Sequence, residues 1–227
     1  MIYLIGVEHG VQCQTKGAAE TPEHTGFRTC LEQAIGVHKP ILVAEEFNEE
    51  SLQTRETTRQ APQEPFTKKI ADGAGIRHMF CEPDLKTKLA LGYQGTSGWL
   101  HHIDEMWDQV TEPKRTLLAG ALEVLKDFPA REQYWLNKMQ GALKESVIFV
   151  CGDGHIESFG TLLHENRFDS VVITRQIGMS TELIELNKRT IDFLNANSDF
   201  VEQQYQKILE RNGGRIINPN DPYVPKS

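Results

Sequence analysis

Two histidines follow two apolar segments of this chain, each three residues after a glycine. Residues 2–5 run into Gly6-Val-Glu-His9, and residues 147–151 run into Gly152-Asp-Gly-His155. Each segment predicts a buried strand, and each histidine then lies just past the carboxyl end of its strand, where open parallel sheets bind ligands. Glycine allows a sharp turn and the close approach of a ligand. The repeated pattern therefore predicts one site that holds both imidazoles.

Two consecutive carboxylates, Glu45 and Glu46, follow a third apolar segment, residues 41–44. Successive strand residues point to opposite faces, so we expect one of the two to face the histidines. We favour Glu46, and Glu45 is the close alternative. Together with His9 and His155, these carboxylates suit a divalent transition metal such as Zn²⁺, Mn²⁺ or Co²⁺. They equally suit a metal-free site in which a His–Glu pair activates water.

Four further residues could support such a site. Arg131 begins a predicted helix, a position that the helix dipole makes unfavourable for a cation, so we expect it to bind an anionic ligand or to pair with the carboxylates. Glu8 and Asp153 flank the histidines and could orient an imidazole, although Asp153 could instead cap the following helix. Tyr134 could line the crevice.

The composition and net charge of the chain argue against some classes of partner. The chain has 227 residues and a net charge of −8, which argues against nucleic acid or an anionic membrane as its main partner. A small molecule or a peptide is the expected substrate. The sequence shows no signal peptide and no apolar stretch long enough to span a membrane. Its four cysteines are widely spaced, and no two of them form a Cys-x-x-Cys motif. We therefore expect a cytoplasmic protein with reduced thiols.

Apolar runs alternate with helical patterns along the chain. Strands are predicted at 2–7, 41–44, 76–81, 146–151 and 171–174, and helices at 24–37, within 99–144, at 155–165 and at 181–211. Continuous rather than alternating apolar runs indicate strands that are buried on both faces. The pattern predicts a doubly wound, mainly parallel α/β sheet of about five strands with helices on both faces. If the strand at 2–7 lies between those at 41–44 and 146–151, the histidines face each other across the crevice.

The predicted organisation has three parts. The α/β domain spans residues 1–180, a charged helical extension follows over 181–212, and an extended tail covers 213–227. The glycine-rich stretch 92–98 lacks the pattern of a phosphate-binding loop and predicts a flexible connection.

The order of these motifs resembles the superfamily of TraB, Tiki and ChaN proteins and erythromycin esterases. The elements that carry the resemblance are Gly6–His9, Glu45/Glu46, Arg131-Glu132 and Gly152–His155, over roughly residues 1–175. It implies a doubly wound α/β fold whose site core is His9, Glu46 and His155, supported by Arg131. Members of the superfamily include metal-dependent proteases, esterases that use a His-activated water, and haem-binding proteins. The doubled glutamate of this chain leaves open which carboxylate is the equivalent one.

The leading prediction is a hydrolase, metal-dependent in the first place, that activates water against an ester, amide or related bond. His9 and Glu46 would activate the water, His155 would bind the metal or stabilise developing charge, and Arg131 would hold an anionic substrate group. One alternative is a module that binds haem or another small ligand without turnover. Another is a metal-free His–Glu esterase. A third is an interaction protein that forms homo-oligomers through the helix at 181–211.

Overall fold

The structure is a computed structural model, and it describes residues 1–50, 63–106, 111–214 and 216. Its strands are β1 (Ile2–Val7), β2 (Cys13–Thr15), β3 (Leu42–Glu45), β4 (Gln63–Pro65), β5 (Arg77–Phe80), β6 (Val147–Gly152) and β7 (Ser170–Ile177). Its α-helices are α1 (Pro22–His38), α2 (Phe66–Gly73), α3 (Leu85–Ala90), α4 (Gly95–Met106), α5 (Lys114–Leu122), α6 (Phe128–Met139), α7 (Ile156–Glu165), α8 (Thr181–Ala196) and α9 (Ser198–Arg211). Two 3₁₀ turns, His9–Gln12 and Asp153–His155, follow β1 and β6.

Five strands form one parallel sheet in the order β5-β3-β6-β1-β7, which confirms the predicted α/β fold. The short strands β2 and β4 pair separately and antiparallel. The assumed strand order was wrong, because β6 rather than β1 is the neighbour of β3. All three strands are apolar and nearly fully buried, so their hydrophobicity carries no information about which of them is central.

Alternate strand residues pack against different helices. Leu4, Ala44 and Phe149 face α6 and α7, with Trp135 and Phe159 fully buried on that side. The residues next to them, such as Ile5, Val43 and Ile148, face α1 and α2 on the other side. Helices thus cover both faces of the sheet, as the continuous apolar runs predict.

The chain divides into two compact units. The sheet unit comprises Met1–Asp84 and Arg131–Ser180, and the helical unit comprises the described residues of Leu85–Ala130 and Thr181–Ser227. The core of the helical unit contains Trp99, Ile103 and Leu122. Within the described residues, no helix is both long and apolar enough to cross a bilayer.

Three expected elements differ from the structure or fall outside it. The helix expected at 181–211 is interrupted at Asn197 and forms α8 and α9. Part of the expected glycine-rich loop is helical, since α4 begins at Gly95, whose N–H donates to buried Asp127 (2.8 Å). The tail expected over 213–227 lies outside the described residues, apart from 213, 214 and 216.

Candidate active site

The ends of three adjacent strands bring the site residues together. In the register of the sheet, Val7 of β1 lies opposite Gly152 of β6. On the other side of β6, the N–H of Glu46 donates to the carbonyl of Val150 (2.8 Å). Since β6 is the central strand of the three, the segments that follow β1, β3 and β6 meet at one edge of the sheet.

Glu46 lies at the centre of this edge. Its side chain is almost completely buried, and its Oε2 accepts a hydrogen bond from the Gly152 N–H (2.7 Å). Its Oε1 lies 3.7 Å from Nε2 of His9 and 3.6 Å from Nε2 of His155. The structure therefore places Glu46 between the two histidines of the repeated pattern.

Arg131, on α6, supplies the positive charge of the site. Its guanidinium donates to Glu46 Oε1 and lies 3.0 Å from Glu82 Oε1, and it is 7% exposed. Its carbon Cζ lies 5.3 Å from the ring centroid of Trp135, whose indole N–H also donates to Glu82 (3.1 Å). Of the two roles expected for Arg131, pairing with a carboxylate is the one the structure has. One buried guanidinium thus compensates the charge of two buried carboxylates.

His155 is held as a neutral ring with a defined tautomer. Nη1 of Arg131 lies 3.3 Å from His155 Nε2, and because a guanidinium can only donate, Nε2 must accept. The proton is therefore on Nδ1, which donates to Glu132 Oε1 (2.7 Å). Burial, helped by the charge of Arg131, holds the pKa of His155 well below its usual range. Burial also raises the pKa of Glu132 to about 8. Both ring nitrogens of His155 are thus engaged inside the protein.

His9 is the accessible member of the site. Its side chain is 55% exposed, and it begins the 3₁₀ turn that follows β1. Residues three apart eclipse each other in a 3₁₀ helix, so Gln12 lies directly behind His9, with its Oε1 2.9 Å from His9 Nδ1. Gln12 is fully buried. This leaves His9 Nε2 directed towards Glu46 and Gly152, at the end of a side chain that is more than half exposed.

Glu45 faces the other side of β3 and contacts a different set of groups. It is fully buried, its Oε2 accepts from Nε2 of Gln12 (3.2 Å), and its Oε1 lies 2.7 Å from Nε2 of His78. His78 is itself buried, on β5. The two consecutive glutamates therefore do different things: Glu46 contacts both site histidines, whereas Glu45 reaches His9 only through Gln12.

The glycines of the two motifs make room for neighbouring side chains. A Cβ on Gly152 would lie 2.8 Å from His9 Nε2, and a Cβ on Gly6 would lie 2.6 Å from Asp153 Oδ1. The backbone of Gly152 (φ −55°, ψ 137°) is one that any residue can adopt. Gly152 lies where β6 passes into the 3₁₀ turn, and packing against His9, rather than the backbone conformation, is what requires glycine there.

The flanking acids bond to groups other than the histidines. Glu8 accepts from the Gly10 N–H (2.6 Å) and caps the 3₁₀ turn. Asp153 accepts from the guanidinium of Arg175 (3.1 Å) and from the Gln176 N–H (3.1 Å), which fixes β7. The expectation that they orient an imidazole is wrong, because local backbone N–H groups and a nearby cation satisfy their oxygens.

Tyr134 and Lys138 line a cavity of about 330 Å³ next to this site. Glu82, the partner of Arg131, forms part of the same wall, together with Phe80 and Asn48. The cavity therefore adjoins the site at Glu82, on the side of β5.

The expected metal ligands are His9, Glu45, Glu46 and His155, and their arrangement does not fit Zn²⁺, Mn²⁺ or Co²⁺. Across the described ranges, no three His, Cys, Asp or Glu side chains are placed to hold a metal ion. Arg131 donates to Glu46 Oε1 and to His155 Nε2, so a cation already uses the lone pairs that a metal needs. Glu45 is turned away towards Gln12 and His78.

Sequence reasoning missed four residues that the structure adds to the site: Gln12, His78, Glu82 and Glu132. Two of them could have been identified from the sequence. Gln12 lies three residues after His9, and Glu82 directly follows the strand predicted at 76–81. Glu132 stands beside Arg131 in the motif quoted above. His78 lies inside a strand, and nothing in the sequence pattern marks it.

Comparison with models of known protein families, with curated proteins and with solved structures finds no match to this chain.

Proposed function

We propose that this protein is a metal-free hydrolase in which His9 removes a proton from water, and that the hydroxide attacks an ester, amide or related bond. The observation that carries the proposal is the state of His9: Nδ1 is engaged by buried Gln12, Nε2 lies 3.7 Å from Glu46 Oε1, and the side chain is 55% exposed. A positioned imidazole with a free nitrogen is the usual general base of such reactions.

Glu46 stabilises the charge that this step creates. When His9 takes the proton from water, its ring becomes an imidazolium, and the carboxylate of Glu46 is its nearest counter-charge. Arg131 and the Gly152 N–H hold that carboxylate in place. His155 acts through Arg131 in this scheme, because Glu132 fixes its ring and its Nε2 accepts from the guanidinium. His155 and Arg131 are thus positioning residues.

The substrate enters from the exposed side of His9. The neighbouring cavity lined by Tyr134 and Lys138 meets the site at Glu82 rather than at His9, and its volume suits a remote part of the substrate, such as a small organic group or one side chain of a peptide. The four free cysteines fit a reducing compartment, and we propose the cytoplasm. The resemblance to TraB, Tiki, ChaN and erythromycin-esterase proteins supports the same reaction class, and it rests on the motifs alone.

The test is hydrolysis of a panel of chromogenic esters and peptide amides by the wild-type protein and by His9→Ala. We expect His9→Ala to lose about 10²- to 10⁴-fold in kcat, which is the usual contribution of a general base. His164→Ala is the matched control, because it removes an exposed histidine of α7 that forms none of the contacts described above. Equal activity of His9→Ala and the wild type would contradict the proposal.

The same assay separates the metal-free reaction from the metal-dependent one. Dialysis against EDTA should leave kcat unchanged, and added Zn²⁺, Mn²⁺ or Co²⁺ should not raise it. Loss of activity on chelation, with recovery on adding one of these ions, would favour the metal-dependent hydrolase. A Soret band on titration with haem, without turnover of any substrate in the panel, would favour the binding module.

A further inference from the structure

We infer that Gln12, Glu45 and His78 form a buried hydrogen-bonded chain that sets the tautomer of His9, with the proton on Nδ1 and Nε2 free. The contacts run from His9 Nδ1 to Gln12 Oε1 (2.9 Å), from Gln12 Nε2 to Glu45 Oε2 (3.2 Å), and from Glu45 Oε1 to His78 Nε2 (2.7 Å). The tautomer itself follows from this chain alone. Its importance for catalysis rests on the proposed function.

The chain begins at the Glu45–His78 pair. Glu45 Oε1 and His78 Nε2 share one hydrogen bond. Glu45 Oε2 is then left as the acceptor for the Gln12 amide, whose Nε2 can only donate. Glu45 is fully buried and the His78 side chain is 3% exposed, so water does not replace these contacts.

Gln12 carries this constraint across to the site. Because Glu45 Oε2 is the acceptor, the NH₂ group of Gln12 must face Glu45, and the carbonyl oxygen must face His9. The opposite orientation would place two acceptor oxygens against each other, at the cost of an unsatisfied buried group. Gln12 is fully buried, so its amide has no alternative partner in solvent.

His9 then has one tautomer open to it. Since Gln12 Oε1 can only accept, His9 Nδ1 must donate, and a neutral ring leaves Nε2 without a proton. The 3₁₀ turn holds the two side chains in this register, because Glu8 caps its first residues. Gln12 is therefore a positioning residue for the general base, and Glu45 and His78 position Gln12.

The experiment is a long-range ¹H–¹⁵N correlation spectrum of the histidine side chains, assigned to His9 by its loss in His9→Ala. The spectrum is recorded at a pH high enough that the chemical shifts of His9 no longer change with pH, so that the ring is neutral. We expect the wild-type His9 to show a protonated Nδ1 and an unprotonated Nε2. A wild-type spectrum with the proton on Nε2 would overturn the inference without any variant.

Two variants of Gln12 test the cause. Gln12→Leu removes the acceptor, and we expect the proton to shift from Nδ1 towards Nε2. Gln12→Glu keeps an oxygen facing Nδ1 and can share a proton with Glu45, so we expect it to retain the wild-type tautomer. Gln14→Leu is the matched control: Gln14 is also buried, but its side chain donates to the Ala18 carbonyl (2.8 Å). The wild-type tautomer in Gln12→Leu would contradict the inference.

Activity adds a separate readout. If the proposed function holds, Gln12→Leu should lower kcat by about 10- to 100-fold, because a misplaced general base loses this much. Gln12→Glu should lose less than Gln12→Leu, and Gln14→Leu should retain activity. Absence of hydrolysis in every protein, with the tautomer as expected, would reject the hydrolase and keep the chain. A shifted tautomer in Gln12→Leu with unchanged kcat would reject the catalytic role of the chain.

Discussion

Arg131 is the cation that pairs with the buried carboxylates Glu46 and Glu82 of the site. It lies almost entirely out of solvent. Burying an unpaired charge costs much free energy. If Arg131 were removed, both Glu46 and Glu82 would be left as buried carboxylates without this counter-charge. A single substitution of Arg131 therefore removes the counter-charge of two carboxylates and should lower the stability of the fold.

Arg131→Met should accordingly destabilise the protein by about 3–5 kcal/mol, the usual effect of removing one partner of a buried ion pair. Arg28→Met is the control, because Arg28 pairs with the partly exposed carboxylates of Glu20 and Glu32 at the surface of α1. It should cost at most about 1 kcal/mol. Urea denaturation of the two variants measures the difference. Equal losses would show that the Arg131 pairs are worth no more than surface pairs.

At the scale of the elements, the last residue of β6, Gly152, serves the site in two ways. The N–H of Gly152 holds Glu46, and the missing Cβ leaves space for the ring of His9. The exposed imidazole of His9 thus packs directly on the last residue of the central strand. A side chain at that position would move the His9 ring and leave the sheet intact.

Gly152→Ala should therefore fold normally and lose activity. The added methyl would lie 2.8 Å from His9 Nε2 and 3.3 Å from Oε2 of buried Glu46. The His9 ring can move aside into solvent, whereas Glu46 has to shift by only a few tenths of an ångström. We expect a loss in kcat of about 10- to 100-fold, since displacements of about 1 Å have effects of this size. Gly160→Ala, in α7, meets only ordinary contacts of 3.8 Å or more. It should keep full activity, and a similar loss in both variants would contradict the steric argument.

The sequence predicts the strands far better than it predicts their order. Apolar runs that end at Gly6, Glu45 and Gly152 mark β1, β3 and β6 correctly, because burial on both faces demands continuous hydrophobicity. The position of β6 between β3 and β1 depends on how the connecting segments cross the sheet, which no local pattern encodes.

The residues of the site divide in the same way, into those that a local sequence pattern marks and those that only tertiary contacts bring together. His9, Glu46 and His155 could be identified because each follows the end of a strand, which is a local feature. The Glu45–His78 contact joins residues 33 positions apart on neighbouring strands, and the sequence gives no sign of their pairing. Polar groups buried by tertiary contacts are therefore the part of this site that sequence reasoning leaves out.

At the scale of the whole molecule, both compact units contain a buried carboxyl whose pKa is raised. Burial raises the pKa of Glu132, in the sheet unit, to about 8, and that of Asp127, in the helical unit, to about 7. In both cases the folded state binds a proton more tightly than the unfolded chain does. Stability is then lost as the pH rises through these values.

We expect the free energy of unfolding to fall between about pH 6.5 and pH 8, by at most about 1.4 kcal/mol per pH unit for each carboxyl. Below about pH 6.5 the lowered pKa of His155 acts in the opposite direction. Glu132→Gln and Asp127→Asn should each remove part of the decline, and hydrogen exchange of amides in the two units would assign it. A decline that is unchanged in both variants would contradict the assignment.

The position of β6 also constrains how the chain can fold while it is being made. Both sheet neighbours of β1, which are β6 and β7, lie about 140 or more residues further along the chain. At a synthesis rate of about 5–20 residues per second, β1 waits roughly 7–30 s on the ribosome before it has a partner. During that time only β3 and β5 can pair within the sheet. Nascent chains shorter than about 150 residues therefore expose an apolar strand, which makes them natural clients for chaperones during translation.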